Sequence, residues 1–197
     1  MDKRQLRAEL KRRLLELTNP PAAGHRKKSE KACENLISTP QFQHSSIVMF
    51  FLSLPHEPDT TPAIINAWQN GKTVAVPKVI WQQKYMMPVK IDTLQAGFST
   101  EITGLRNPVE GSPVQLREIN LVVVPGLAFD RKGNRLGTGN AYYDKFFENK
   151  DLVAMRCGLA FSEQLIDSIP ADEYDKPMDL LVTDKEIIYF NNSGRGE

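Results

Sequence analysis

Residues 122–147 read VVVPGLAFDRKGNRLGTGNAYYDKFF, and this stretch decides the fold. It opens within Asn120–Val124 (NLVVV), whose apolar Leu-Val-Val-Val run is of the kind that forms a strand covered on both faces. Pro125-Gly126 stops the run, a loop continues to about Asn140, and a helix follows through Asn149. A connection of roughly 15 residues is longer than the usual strand-to-helix link, and such loops tend to carry function. It leaves the carboxyl end of a buried strand, where open α/β sheets bind ligands.

Outward from this segment, strands and helices alternate. Leu6, Leu10, Leu14 and Leu17 predict an amphipathic helix over 2–18, stopped by Asn19-Pro20-Pro21. A second helix is expected over about 26–38. Ser46–Ser53 (SIVMFFLS) reads as another strand covered on both faces, and Thr61–Trp68 as a helix with Pro62 near its first position. Thr73–Pro77, Tyr85–Val89, Val153–Phe161, Asp179–Thr183 and Glu186–Phe190 read as further strands, with a short helix near Glu163–Asp167. Residues 92–118 read as irregular. The pattern predicts one α/β domain over 1–190, a single open, mostly parallel β-sheet with helices on both faces, then a polar tail at 191–197.

Composition narrows the class. The 197 residues are 41% hydrophobic and 25% charged, which excludes a disordered chain and suffices for a real core. The longest apolar run, Ile47–Leu52, is far short of the roughly 20 residues of a membrane span. The start, Met-Asp-Lys-Arg, shows no secretory apolar segment, so the expectation is a cytoplasmic protein with Cys33 and Cys157 as reduced thiols. Net charge is +1, but residues 1–31 carry +6, from ten Lys/Arg and four acids. A basic first helix fits an anionic ligand, nucleic acid or a merely solvated face. Residues 32–197 hold 15 Lys/Arg against 20 acids, which argues against a nucleic-acid surface.

The long loop has the chemistry of a polyphosphate holder. Gly126, Gly133, Gly137 and Gly139 let backbone N–H groups approach phosphate oxygens, the next helix contributes its N-terminus, and Arg131, Lys132 and Arg135 add charge. Neither Gly133 nor Gly137 opens a Walker A loop, and Gly137-Thr138-Gly139 does not continue into a dinucleotide fingerprint. On composition alone a solvated glycine-rich surface loop is an equal alternative.

The string itself is more specific. Pro125-Gly126-x-Ala128-Phe129-Asp130-x-x-Gly133-x-Arg135-Leu136-Gly137-x-Gly139-x-x-Tyr142-Tyr143-Asp144 closely resembles the diagnostic motif of the 5-formyltetrahydrofolate cyclo-ligases. Lys3-x-x-Leu6-Arg7, Phe51-Leu52-Ser53, Glu57-Pro58-Asp59-Thr60, Gly158-Leu159-Ala160-Phe161 with Gln164, Pro170 and Val182-Thr183-Asp184 extend the resemblance from residue 3 to about 184. Two positions depart from it. Ala141 stands where the family usually has the third glycine of G-x-G-x-G-Y-Y-D, and Tyr174-Asp175 stands where it tends to carry His-Asp. If the first position needs a positive φ, Ala141 strains it by about 1–2 kcal/mol.

The resemblance implies an ATP-dependent ligase that closes 5-formyltetrahydrofolate to 5,10-methenyltetrahydrofolate, releasing ADP and phosphate. Carried over position by position, Lys3, Arg4, Gln5, Leu6 and Arg7 face ATP, and Arg135, Leu136, Gly137, Thr138, Gly139, Asn140, Ala141, Tyr142 and Tyr143 wrap its triphosphate. Arg135 and Tyr142 are the catalytic pair. Leu54 and Asp59, with Thr138–Tyr142, line the folate side; Asp59 is equally readable as a helix-entry residue. Asp144 and Asp179 hold Mg²⁺, with Asp144 acting on chemistry more than on folding. The partners implied are the two small substrates, with no nucleic acid or membrane and a monomeric chain. The competing classes are a sugar-phosphate isomerase or CoA transferase on a related sheet, which need no ATP, and a nucleic-acid module using the basic first helix.

Overall fold

The structure, a computed structural model, describes residues 2–18, 23–100 and 104–190. The expected tail at 191–197 and the Asn19-Pro20-Pro21 stop lie outside the described residues, as does the side chain of Leu17. In order, the chain forms α1 (Lys3–Thr18), α2 (Ala23–Ser38), α3 (Pro40–Gln43), β1 (Ile47–Met49), α4 (Thr61–Gln69), β2 (Thr73–Ile80), β3 (Tyr85–Lys90), β4 (Phe98–Thr100), β5 (Arg106–Pro108), β6 (Leu121–Val124), β7 (Ala128–Asp130), β8 (Arg135–Leu136), α5 (Tyr142–Phe147), β9 (Met155–Leu159), β10 (Leu165–Ile166), β11 (Leu180–Val182) and β12 (Ile187–Tyr189).

Seven strands build the main sheet in the order β12-β11-β9-β6-β1-β2-β3. The five inner strands are parallel, and β3 and β12 close the edges antiparallel. Alternate side chains sort into two layers, as the two-residue strand period requires. Val48, Val74, Val76, Leu121, Val123, Leu159, Leu180 and Val182 meet Ala32 and Leu36 of α2 and Ala63, Ile64 and Ala67 of α4. Met49, Ala75, Val122, Val124 and Leu181 face the other way, toward Phe146 of α5 and Phe129 of β7. Helices therefore cover both faces, as expected. A core truncation such as Leu36→Ala, at a side chain with no exposure, costs on the order of 2–5 kcal/mol. Both cysteines are buried and unbridged, and among the described residues no helix is long and apolar enough to cross a membrane.

Four expectations are corrected. The SIVMFFLS run pairs as a strand only over Ile47–Met49; Phe50–Leu52 stay buried, but the chain leaves the sheet there. The loop after β6 is not irregular throughout. It contains the β7–β8 hairpin, held by the fully buried Asp130 carboxylate, which accepts from the backbone N–H groups of Lys132, Asn134 and Ile169 and from the Asn134 amide. The short helix near Glu163–Asp167 is a 3₁₀ turn at Ser162–Gln164, then β10, whose Leu165 and Ile166 pair with β7. Residues 92–118 likewise contain the β4–β5 hairpin.

Helix α1 leaves the main sheet alone. Its Leu6, Leu10 and Leu14 pack on Leu127, Ala128, Leu136 and Ile169, so the helix rides on the small β10-β7-β8 sheet. Reciprocal bonds between Asp2 and Gln5 close its first turn (Gln5 N–H to Asp2 Oδ1, 2.8 Å; Asp2 N–H to Gln5 Oε1, 3.2 Å).

Candidate active site

The outgoing connection of β1 runs through α4 to β2, while that of β6 runs through α5 to β9 on the opposite side. The crevice at the carboxyl ends of β1 and β6 is thus the topological switch point of the sheet. Two loops meet there, residues 53–60 after β1 and 125–141 after β6.

Arg135 organises the second loop from beneath. Its side chain is only 6% exposed. Nη2 donates to both Asp144 oxygens at 3.0 and 3.1 Å, Nη1 donates to the Pro125 carbonyl at 3.3 Å, and the guanidinium lies 5.5 Å from the Tyr143 ring centre. A Cβ at Gly137 would stand 2.7 Å from Nη1, and one at Gly126 would stand 2.8 Å from the Phe129 ring. These glycines make room for side chains passing under the backbone. Arg135 Nε is buried without a partner among the described residues, an open donor beneath the loop.

Above Arg135 the loop is exposed from Thr138 to Ala141, and among the described residues its backbone N–H groups there meet no protein acceptor. Such unpaired donors before a helix suit an anion. Gly139 has φ +105° and Ala141 φ +54°, so the position where the family's glycine is missing does adopt the left-handed conformation. From the other side, Arg7 Nε donates to the Gly137 carbonyl at 3.0 Å. Lys3 is one turn earlier and binds Asp172 and Asp175. Leu6 is buried in the packing under the hairpin, Arg4 is exposed, and Gln5 is engaged with Asp2. At the α5 entrance Tyr142 meets Trp81 edge-on, ring centres 5.9 Å apart.

The first loop contributes a residue that the motif comparison passed over. Glu57 Oε2 accepts from Leu54 N–H at 2.9 Å, and burial pushes its carboxyl up to about 7. Burial and the nearby Glu57 both raise the Tyr143 phenol, while Arg135 opposes them. Glu57 belongs to the quoted Glu57-Pro58-Asp59-Thr60 element, but nothing in that string says which acid turns inward. Asp59 is exposed and its Oδ1 accepts from Thr61 N–H at 3.0 Å, the helix-entry arrangement. The His25 ring donates from Nε2 to the Glu57 carbonyl (3.1 Å), tying α2 to this loop.

The two expected metal carboxylates have different surroundings. Asp144 is paired with Arg135 at the mouth of the loop. Asp179 is buried at the start of β11, where it accepts from Arg156 N–H at 2.7 Å with Arg156 Nε at 3.5 Å. Among the described residues no group of three His, Cys, Asp or Glu clusters as a protein-only metal site. A hard oxygen donor beside a phosphate-binding loop nevertheless suits Mg²⁺, which takes one or two carboxylates and completes its shell with phosphate oxygens and water. Asp144 fits that pattern once it parts from Arg135; Asp179 fits it only if Arg156 releases it.

A switch-point crevice lined by unpaired loop N–H groups, two arginines and a near-neutral carboxyl defines an α/β enzyme built for phosphate chemistry. The family model described as the 5-formyltetrahydrofolate cyclo-ligase family matches residues 1–184. The mouse 5-formyltetrahydrofolate cyclo-ligase is 32% identical over 187 residues, spanning 90% of this chain and 91% of the relative, and the Escherichia coli cyclo-ligase is 26% identical, spanning 80% and 88%. The solved 5,10-methenyltetrahydrofolate synthetase of Aquifex aeolicus superposes with a TM-score of 0.79 at 31% identity, covering 98% of this chain and 96% of its own. The chain belongs to the 5-formyltetrahydrofolate cyclo-ligase family.

Proposed function

We propose that the protein couples ATP hydrolysis to the closure of 5-formyltetrahydrofolate into 5,10-methenyltetrahydrofolate, with ADP and phosphate as the other products. The observation that carries this reading is the Arg7–Gly137 cradle at the switch point, with Arg135 beneath it against Tyr143, whose phenol feels the charge of Glu57. The formyl oxygen is a poor leaving group. Transfer of the γ-phosphoryl to it gives an iminium phosphate, N10 attacks the formyl carbon, and the C–O bond breaks with departure of phosphate. Catalysis of such a transfer is mostly positioning and charge stabilisation.

The residues divide between the two substrates. Lys3–Arg7 and Arg135–Tyr143 take ATP, with the N–H groups of Thr138–Ala141 on phosphate oxygens and the Arg7 fork alongside. Arg135 counters charge on the transferring group from below, and Tyr142 stands where ATP and folate meet. Leu54 and Asp59, on the opposite loop, flank the folate together with Thr138–Tyr142. Ring closure releases the N10 proton, and Glu57, near neutrality, accepts it. Asp144 is the first carboxylate for Mg²⁺ and Asp179 the second. When bound, the ion neutralises phosphate charge and holds the phosphate oxygens in place. The reading includes a monomer in the cytoplasm, where two buried free thiols are at home.

The test is direct. Protein, MgATP and 5-formyltetrahydrofolate are mixed and the methenyl chromophore is followed together with ADP. Both should appear in equal amounts; ADP release that is indifferent to the folate would overturn the assignment.

A further inference from the structure

The turn at residues 172–175 meets the first helix at Lys3. Lys3 Nζ lies 2.5 Å from Asp175 Oδ2 and 2.7 Å from Asp172 Oδ2. The Asp175 carboxylate is preset by its own turn, since the same Oδ2 accepts from Asp172 N–H at 2.9 Å and Asp175 N–H donates to the Asp172 carbonyl at 3.2 Å. Burial pulls the Lys3 ammonium down, but the bonds to Asp172 and Asp175 outweigh it and its pKa rises. The lysine is charged and held, one helical turn from the arginine that grips the glycine loop.

This arrangement is costly for the helix alone. Within its first turn α1 carries Lys3 and Arg4, the wrong sign for the positive end of a helix dipole, and only the capping Asp2 just before it offsets them locally. Carboxylates supplied from 169 and 172 positions away compensate that charge without removing it. They also set the rotamer of a side chain that would otherwise sample many.

We propose that Asp175, supported by Asp172, is a positioning residue for ATP: the acidic turn holds the Lys3 ammonium and fixes the start of α1 beside the glycine loop. This rests on the proposed function, in which α1 faces ATP. Asp175 itself touches no substrate and acts through Lys3.

The test is a double-mutant cycle of Lys3→Ala and Asp175→Asn, with Asp175→Glu and Asp172→Asn beside it. Asp175→Asn should raise the KM for ATP about tenfold, leave kcat and the KM for 5-formyltetrahydrofolate within twofold, and add nothing to Lys3→Ala. Asp175→Glu should recover most of the loss, and Asp172→Asn should show a smaller version of it. ATP affinity measured by titration calorimetry repeats the cycle without turnover. If the wild type binds ATP but closes no folate, the function above fails while this cycle still decides the positioning role. Additive losses, equal rises in both KM values, or Lys3→Ala with unchanged ATP affinity would overturn it.

Discussion

The Nε of Arg7 donates to the carbonyl oxygen of Gly137, 130 residues further along the chain, at 3.0 Å. The bond joins the first helix to the exposed part of the glycine loop, while Leu6, Leu10 and Leu14 hold the helix in place independently. Arg7→Ala should therefore raise the KM for ATP about tenfold, near 1.4 kcal/mol, and leave the melting temperature nearly unchanged. Arg7→Lys keeps the charge but not the fork and should fall between. ATP kinetics and a thermal melt on the same samples decide it.

Ala141 occupies the left-handed region with φ +54° and ψ +21°, directly before α5. An L-residue is strained there by about 1–2 kcal/mol, whereas glycine is free of the clash but loses about 0.4–1 kcal/mol more to chain entropy on folding. Ala141→Gly should raise stability by up to about 1 kcal/mol, or roughly 2–4 °C for a chain of this size, with unchanged or higher turnover. A drop in stability on denaturant titration would mean that the loop follows another backbone path.

Glu57 has its carboxyl pushed up to about 7 by burial, from an ordinary 4.5. The folded state then holds this proton more tightly than the unfolded chain does. The resulting stabilisation is present in full below about 4.5 and is lost as pH rises through about 7. Glu57→Gln should flatten that part of the stability profile, a difference on the order of 3 kcal/mol. In wild-type protein kcat should climb through pH 7 as the carboxyl ionises; in the variant that limb should vanish and turnover fall on the order of 100-fold.

Asp144 was expected to act on chemistry more than on folding, and its pairing with a 6%-exposed Arg135 changes that expectation. Asp144→Asn should still lower turnover on the order of 100-fold and demand more Mg²⁺. It should also lower the melting point, because an arginine left buried beside an amide loses a charge partner worth on the order of 3 kcal/mol. Wild-type Mg²⁺ dependence together with a lowered melting point would make Asp144 a structural partner of Arg135 alone.

The strands of the main sheet and the long helices were legible in the sequence, because both depend on local pattern. Apolar runs such as Leu121–Val124 read as buried strands and leucines four apart as one face of a helix, whereas the glycines and arginines after the strand became specific only through the longer motif. The hairpin inside the long loop was not legible: Asp130 and Asn134 are ordinary turn residues on the page, and the buried Asp130 carboxylate also takes the N–H of Ile169, far along the chain.

The sequence by itself determined the α/β plan with helices on both faces of the sheet, the glycine loop and the family, all of which rest on residue type at short spacing. Only the tertiary structure decided which charges meet. It turned Glu57 inward and left Asp59 at the helix entrance, joined Arg135 to Asp144 and Asp179 to Arg156, and brought Lys3 to Asp175. The physical reason is that an ionisable side chain carries the same letter whether buried or exposed. Its role depends on desolvation and on partners that only chain closure brings within bonding distance.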